Sequence, residues 1–396
     1  MTATPVDARS TQRPTINIAP PPFRPWHDLR MRVHQGELGM IPVFVSLILI
    51  AVLFGALQPD FLSPRNISNL LVQVAVTGTL AVGLVLVLLI GEIDLSVGSI
   101  MGTAAALLGV TVTTMHFPWW VGLLAAIVAG GLIGAFQGAW VAIFRVPSFV
   151  VTLAGFLGWY GVQQAILGSQ GTVNVFDPQI AWIATSFLPP WLGWATAGVV
   201  VAAVALSVWR SGTARATTVI AAAAIGSFAF VAVLNQFNGV PVVVVILVAL
   251  IAVVDFVLTR TQFGLHVYAV GGNAEAARRG GISLVRVRTL VFMLAGALAG
   301  LAAIIAVSRN GAAGTLTGGG TQMLEAIAAA VIGGTSLFGG RGRVWAALFG
   351  GLVLVSVSNG IDLLGYPTDV KFIVAGAILL LAVTIDALSR RRARAA

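Results

Sequence analysis

The chain has 396 residues, 58% of them hydrophobic and 9% charged, with a mean hydropathy of +0.99 and a formal net charge of +9. Globular domains carry about 25% charged residues, so this composition excludes a soluble globular protein. Cysteine is absent, which excludes a disulfide framework, a thiolate metal site and a cysteine nucleophile.

The first 38 residues are polar, carry five arginines and three consecutive prolines (Pro20 to Pro22), and lack the apolar core of a signal peptide. They are expected to form a retained, mostly disordered cytosolic tail. Apolar runs then follow at about 39–58, 69–90, 98–116, 119–143, 148–168, 190–208, 217–236, 240–258, 289–308, 322–338, 345–361 and 372–388. Several reach the roughly 20 residues that cross about 30 Å of hydrocarbon. They are continuously apolar and lack the ten-residue alternation of a membrane β-barrel. The expected fold is all-α: a polytopic helical membrane protein with about 10–12 transmembrane or broken helices spanning 39–388, followed by a basic cytosolic tail at 389–396.

Charge sets the expected topology. With a cytosolic N-terminus, the inside segments hold nineteen arginines and the outside segments only Arg65, Arg309 and Lys371. That asymmetry is the one the positive-inside rule describes. Arginines distributed between spans form no basic module, so no nucleic-acid partner is expected. The inside segment at 91–97 is the exception, with no positive charge.

That exception lies in "LIGEIDLSVGSI" (89–100), where Glu92 and Asp94 interrupt an apolar stretch. An ionised Asp at mid-membrane costs roughly 2.5 to 3.5 kcal/mol on insertion scales, so such groups face a cavity or a partner. Gly91 and Gly98 flank the pair and let the backbone leave the helix. Asp94 and Ser96 also suit the N-cap of the following helix. Two readings stand side by side: a broken helix lining a translocation pathway, or a short solvated turn before a capped helix. "VIGGTSLFGGRG" (331–342) breaks a second apolar run in a similar way, and paired interruptions point to an internal repeat around a transport path.

The longest inside loop, 260–288, carries "GGNAEAARRGGI". Asn273 can cap, "AEAARR" is a short helical turn, and Gly280 and Gly281 stop it. Glu275 at its start and Arg278 and Arg279 at its end suit the helix dipole. The turn is either a short helix that receives a partner at the membrane face or an incidental feature of a basic loop.

No energy source lies in the chain. Its one lysine, Lys371 in "PTDVKFI", is in no glycine-rich phosphate loop, and the four histidines are scattered singly, so neither an ATPase site nor a zinc motif is expected. Three hypotheses follow: a separate ATPase docking on the 260–288 loop; an ion-coupled secondary transporter using Glu92, Asp94 or Asp255; or an enzyme acting on lipid-linked substrates, for which the outer loops offer few acids.

In order along the chain, "GTLAVGLVLVLLIGEIDLSVGSIMG", "FRVPSFVVTLAGF", "GGNAEAARRGGI" and "AIAAAVIGGTSLFGGRGRVWAALFGG" resemble the permease subunits of bacterial ABC importers for ribose, xylose and related monosaccharides. An extra hairpin at about 190–236 makes the chain most similar to the xylose-type members. The resemblance implies a homodimeric pore of type II importer architecture in the bacterial inner membrane, with both termini cytosolic. It implies as partners a second copy, cytosolic sugar ATPase subunits holding ATP and Mg, a periplasmic or lipid-anchored sugar-binding protein, membrane lipid and a monosaccharide. This chain itself would hold no cofactor and no metal. It further implies that Glu92, Asp94 and Ser96 belong to the pathway or its gate. Gly272, Asn273, Glu275, Ala276, Ala277, Gly280 and Ile282 would fall on the helix that meets the ATPase. Trp159, Tyr160, Gln163 and Gln164, with Thr335 and Ser336, are further pathway candidates.

Overall fold

The computed structural model describes residues 41–211 and 216–395. The polar segment at 1–38 and Arg215 lie outside the described residues. Gly39–Leu388 form one compact unit.

The described residues are almost wholly helical. The first half comprises α1 (Ile41–Leu57), α2 (Pro64–Leu89), α3 (Val97–Gly109, continued by a π turn at Val110–Thr114), α4 (Trp119–Phe144) and α5 (Ser148–Leu167). A short strand, β1 (Thr172–Asn174), and a short helix, α6 (Pro178–Thr185), lead to α7 (Pro190–Ser211) and α8 (Ala216–Asn235). Then come α9 (Val242–Arg260), α10 (Gln262–Gly272), α11 (Ala274–Arg279), α12 (Leu284–Asn310) and β2 (Ala312–Gly314). The chain closes with α13 (Gly320–Ile332), α14 (Trp345–Leu363) and α15 (Thr368–Ala395). Among the described residues, nine helices are long and apolar enough to cross a membrane, and α1 and α13 are shorter apolar helices.

The core forms around α2. Ser63 caps it, its hydroxyl accepting from Asn66 N at 3.3 Å, and Pro64 takes the first turn, where its missing N–H costs nothing. From Leu70 onward nearly every residue of α2 is buried, because α9, α12, α13 and α14 surround it. Against lipid, helix association relies on close packing rather than on a hydrophobic difference. The pairing of α4 with α12 shows this: a Cβ added at Gly134 would overlap the Phe292 carbonyl, and one at Gly296 would overlap that of Gly130. Helices α7 and α8 pack on each other, and a small apolar cluster of Leu71, Ala197, Val231, Leu234 and Val240 joins them to the rest.

Two features have no counterpart in the sequence reading. β1 and β2 pair antiparallel, with Val173 opposite Ala313, although they are far apart in sequence. Helix α6 lies inside what reads as an open loop, held by Asp177, whose carboxylate accepts from the N–H groups of Gln179 and Ile180. Both sit on one rim, with the turns before α9 and after α12.

Candidate translocation site and coupling surface

Helix α2 ends in a Schellman motif. Gly91 adopts φ +78°, its N–H donates to Leu88 O at 2.9 Å, and Glu92 N–H donates to Val87 O at 3.2 Å. Helix α13 ends the same way: Gly334 has φ +99°, and the N–H groups of Gly334 and Thr335 donate to the carbonyls of Val331 and Ala330 at 2.9 and 3.0 Å. The two helix ends are therefore equivalent as backbone, with Glu92 and Thr335 in the same place.

Beyond Gly91 the chain runs without helix to Ser96. Ser148, at the start of α5, accepts from Ile93 N–H at 3.1 Å, and Thr152 Oγ1 lies 3.2 Å from Ile93 O and 2.9 Å from Ser148 O, between which its one proton is shared. Asp94 is 1% exposed. Its Oδ1 accepts from Ser96 N at 2.7 Å and lies 2.6 Å from Ser96 Oγ, which is also 2.7 Å from Gln137 Oε1 on α4. A hydroxyl has one proton, so Ser96 donates to one of these at a time. Asp94 Oδ2 and Gln137 Nε2 are buried without hydrogen-bond partners. Ser96 stands at the N-cap position of α3, but its side chain faces Asp94 and Gln137 instead of capping. Asp94 is thus not solvated, and among the described residues no cation pairs with it.

Glu92 has a cation. Its Oε1 lies 2.9 Å from Nη2 of Arg288 in the second turn of α12, and the two side chains are only 13% and 23% exposed. Asp255, on α9, makes no ion pair among the described residues.

The remaining candidates divide by location. Gln163 is fully buried and donates to the carbonyls of Gly314 and Thr317 at 2.9 and 3.0 Å, which ties α5 to the segment before α13. Trp159 is half-buried and, with Gln137, Phe136, Trp140, Gly155 and Gly158, lines a cavity of about 490 Å³ between α4 and α5. Tyr160 is exposed and Gln164 half-buried on α5. Thr335 and Ser336 are buried in the second interruption, where Ser336 Oγ accepts from Phe338 N at 3.1 Å and Thr335 Oγ1 has no partner.

The two interruptions meet each other and the loop. Gly340 N donates to Leu89 O at 2.9 Å, and Tyr268 on α10 donates to Gly342 O at 3.1 Å. From that junction Asn273 starts α11, its Oδ1 accepting from Ala276 N at 2.9 Å. Ala277 is buried and Ile282 half-buried; Ile282 N donates to Ala277 O at 3.0 Å. Gly272, Asn273, Glu275, Ala276 and Gly280 are exposed. Glu275 accepts from Arg278 at 2.9 Å and Arg279 at 3.2 Å, and these bonds hold its carboxyl below the usual range. On the opposite rim, Arg65 and Arg309 line a polar cavity of about 520 Å³ with Asn66, Asn69, Gln73 and Asn359, while Lys371 pairs with Asp362.

Reading the sequence alone misses Gln137 and Arg288. Gln137 had a signal, as the one amide in an apolar span of α4. Arg288 reads as one more inside arginine, and only its position against Glu92 distinguishes it.

The described residues contain no group of three or more His, Cys, Asp or Glu placed to hold a metal ion. A family model described as "Branched-chain amino acid transport system / permease component" matches residues 66–383. The chain is 39% identical over 369 residues to the xylose transport system permease protein of Escherichia coli strain K12, covering 88% of this chain and 92% of that one. Its identity to the xylose permease of Haemophilus influenzae is 36% over 370 residues, covering 89% and 98%. For the ribose import permease of Escherichia coli strain K12 it is 32% over 346 residues, covering 86% and 92%. No solved structure matches the chain.

Proposed function

Because the chain belongs to the family of transport-system permease components, we propose that it is the transmembrane subunit of an ATP-driven monosaccharide importer for xylose or a related pentose or hexose. The observation that carries the sugar is the similarity, along nearly the whole length, to xylose transport permeases, with ribose permeases next. The chain is a multi-pass membrane transport component and not an enzyme. ATP and Mg belong to a separate cytosolic ATPase, and a periplasmic or lipid-anchored binding protein delivers the sugar to a homodimer of this chain in the inner membrane.

The geometry supports particular roles. The Asp94–Ser96–Gln137 cluster, sealed among α3, α4 and α5, suits a pathway or gate, because buried groups with unmet hydrogen-bonding capacity can change partners at low cost. The cavity beside Trp159 and the buried pair Thr335 and Ser336 belong to the same reading; Gln163 holds α5 in place there. The exposed face of α11 is the ATPase contact, with Asn273 setting its start and Ala277 and Ile282 its packing. It lies on the rim of the two interruptions, which charge asymmetry assigns to the cytosol along with both termini.

The test is gentle purification of the tagged chain from native membranes, followed by identification of its companions and an uptake assay. Recovery with an ATPase and a sugar-binding protein, and uptake that requires ATP, supports the importer. Recovery alone, with uptake that survives ATP depletion and collapses with an ion gradient, overturns it in favour of a secondary transporter using intramembrane carboxylates.

A further inference from the structure

We propose that Arg288 is a positioning residue for transport, whose ion pair with Glu92 joins the coupling loop to the first helix interruption and carries movement of α11 into the Asp94–Ser96–Gln137 cluster. The proposal rests on the importer reading and assigns a specific transmission element within it.

Arg288 is near in sequence to the surface that an ATPase would grip. Helix α11 ends at Arg279, Ile282 N bonds back to Ala277 O, and Ser283 caps α12, its hydroxyl accepting from Arg286 N at 3.4 Å. The link from α11 to α12 is thus short and hydrogen-bonded, so displacement of α11 moves the first turns of α12. There Arg288 projects to Glu92 at 2.9 Å. Glu92 stands two residues before Asp94, and Asp94 accepts from the N–H of Ser96, the residue from which α3 starts, and shares its hydroxyl with Gln137. Every step in this chain of contacts is a covalent turn, a hydrogen bond or the ion pair itself.

The pair is also placed where it resists exchange with solvent. At 13% and 23% exposure, Glu92 and Arg288 are shielded more than the pairs of Glu275, whose partners are 61% and 78% exposed. Shielding weakens screening and leaves either charge poorly solvated if its partner leaves. Arg288 Nε is buried and has no hydrogen-bond partner, so Glu92 is the one anion that this guanidinium contacts among the described residues. A second tie, of backbone only, runs beside it from Gly340 N to Leu89 O. That bond keeps the two interruptions together but includes no residue of α12; α12 packs along α2 and α3 on either side of the first interruption, and among the described residues the ion pair is the polar tie that reaches the interruption itself.

The experiment uses the complete transporter, with its ATPase and binding protein, in proteoliposomes. It compares wild type with E92R, R288E, the exchanged pair E92R/R288E, and R288K, measuring both sugar imported and ATP hydrolysed. Each charge reversal is expected to raise the ATP consumed per sugar imported by about tenfold, as breaking a close coupled pair does. The exchanged pair is expected to recover most of that loss, and R288K to stay within about threefold of wild type, because a lysine keeps the charge. A purely structural role would lower both quantities together and leave the ratio unchanged, and that result overturns the proposal. So does an exchanged pair no better than the single reversals. If the reversals fail to insert, the ratio for R288M against R288K decides in the same way. Wild-type transporter that shows no ATP-driven uptake overturns the importer reading itself, a result distinct from any of these.

Discussion

Gly271 faces the carbonyl oxygen of Leu89 so closely that an added Cβ would overlap it and would stand 2.7 Å from Gly340 N. The end of α10, the end of α2 and the second interruption therefore meet backbone to backbone. A junction without side chains fixes its distances tightly, because neither rotamers nor cavities can absorb a shift.

Gly271→Ala is expected to lose about 1–3 kcal/mol of stability by overpacking, read as a lowered thermal midpoint in detergent. Gly272→Ala meets nothing within 4 Å and is the matched control, expected to unfold with wild type. Equal midpoints for the two variants would show that the junction yields.

Asp94→Asn keeps an acceptor for Ser96, so insertion and thermal stability should stay close to wild type while uptake falls by roughly tenfold or more. Asp94→Ala strands the Ser96 N–H, while the hydroxyl keeps Gln137 Oε1 as an acceptor, and should cost about 1–3 kcal/mol as well as uptake. Wild-type flux in the Asn variant would assign Asp94 to the local turn alone.

Glu275→Arg is expected to abolish ATP-driven uptake and leave membrane insertion intact, since the side chain is half exposed and its ion-pair partners among the described residues are Arg278 and Arg279 of the same turn. The carboxyl is held low, so the ion pairs persist above the ordinary carboxylate pKa and are lost only as pH falls through the depressed value. Glu275 should therefore contribute no pH dependence to uptake between about pH 6 and 8. Normal uptake by the Arg variant in vesicles removes it from coupling.

The chain has no native cysteine, so single cysteines report topology without background. A cysteine at the exposed Asn174, on β1, should react with an impermeant maleimide from the non-cytosolic side, and one at Glu275 only after permeabilisation. The reverse pattern would invert the assignment of the two rims.

Long apolar runs announce helices on their own, because a backbone in hydrocarbon must satisfy its hydrogen bonds within the segment. Each of the twelve runs drawn from the sequence overlaps a helix, from α1 at Ile41–Leu57 to α15 at Thr368–Ala395. Charge asymmetry, the missing phosphate loop and the two glycine-rich interruptions were legible for the same kind of local reason. The pairing of β1 with β2 was not, since three-residue strands carry no periodicity to read.

What the sequence by itself determined was the medium, the helices, the places where they break and the capped turn of α11. Only the tertiary structure decided what the two carboxylates meet. Glu92 and Asp94 share one heptapeptide between α2 and α3, yet one meets Arg288 of α12 and the other meets Ser96 and, through it, Gln137 of α4. Such partners lie on distant segments, and a carboxylate's neighbourhood is set by which helices pack beside it, a property that no stretch of sequence carries alone.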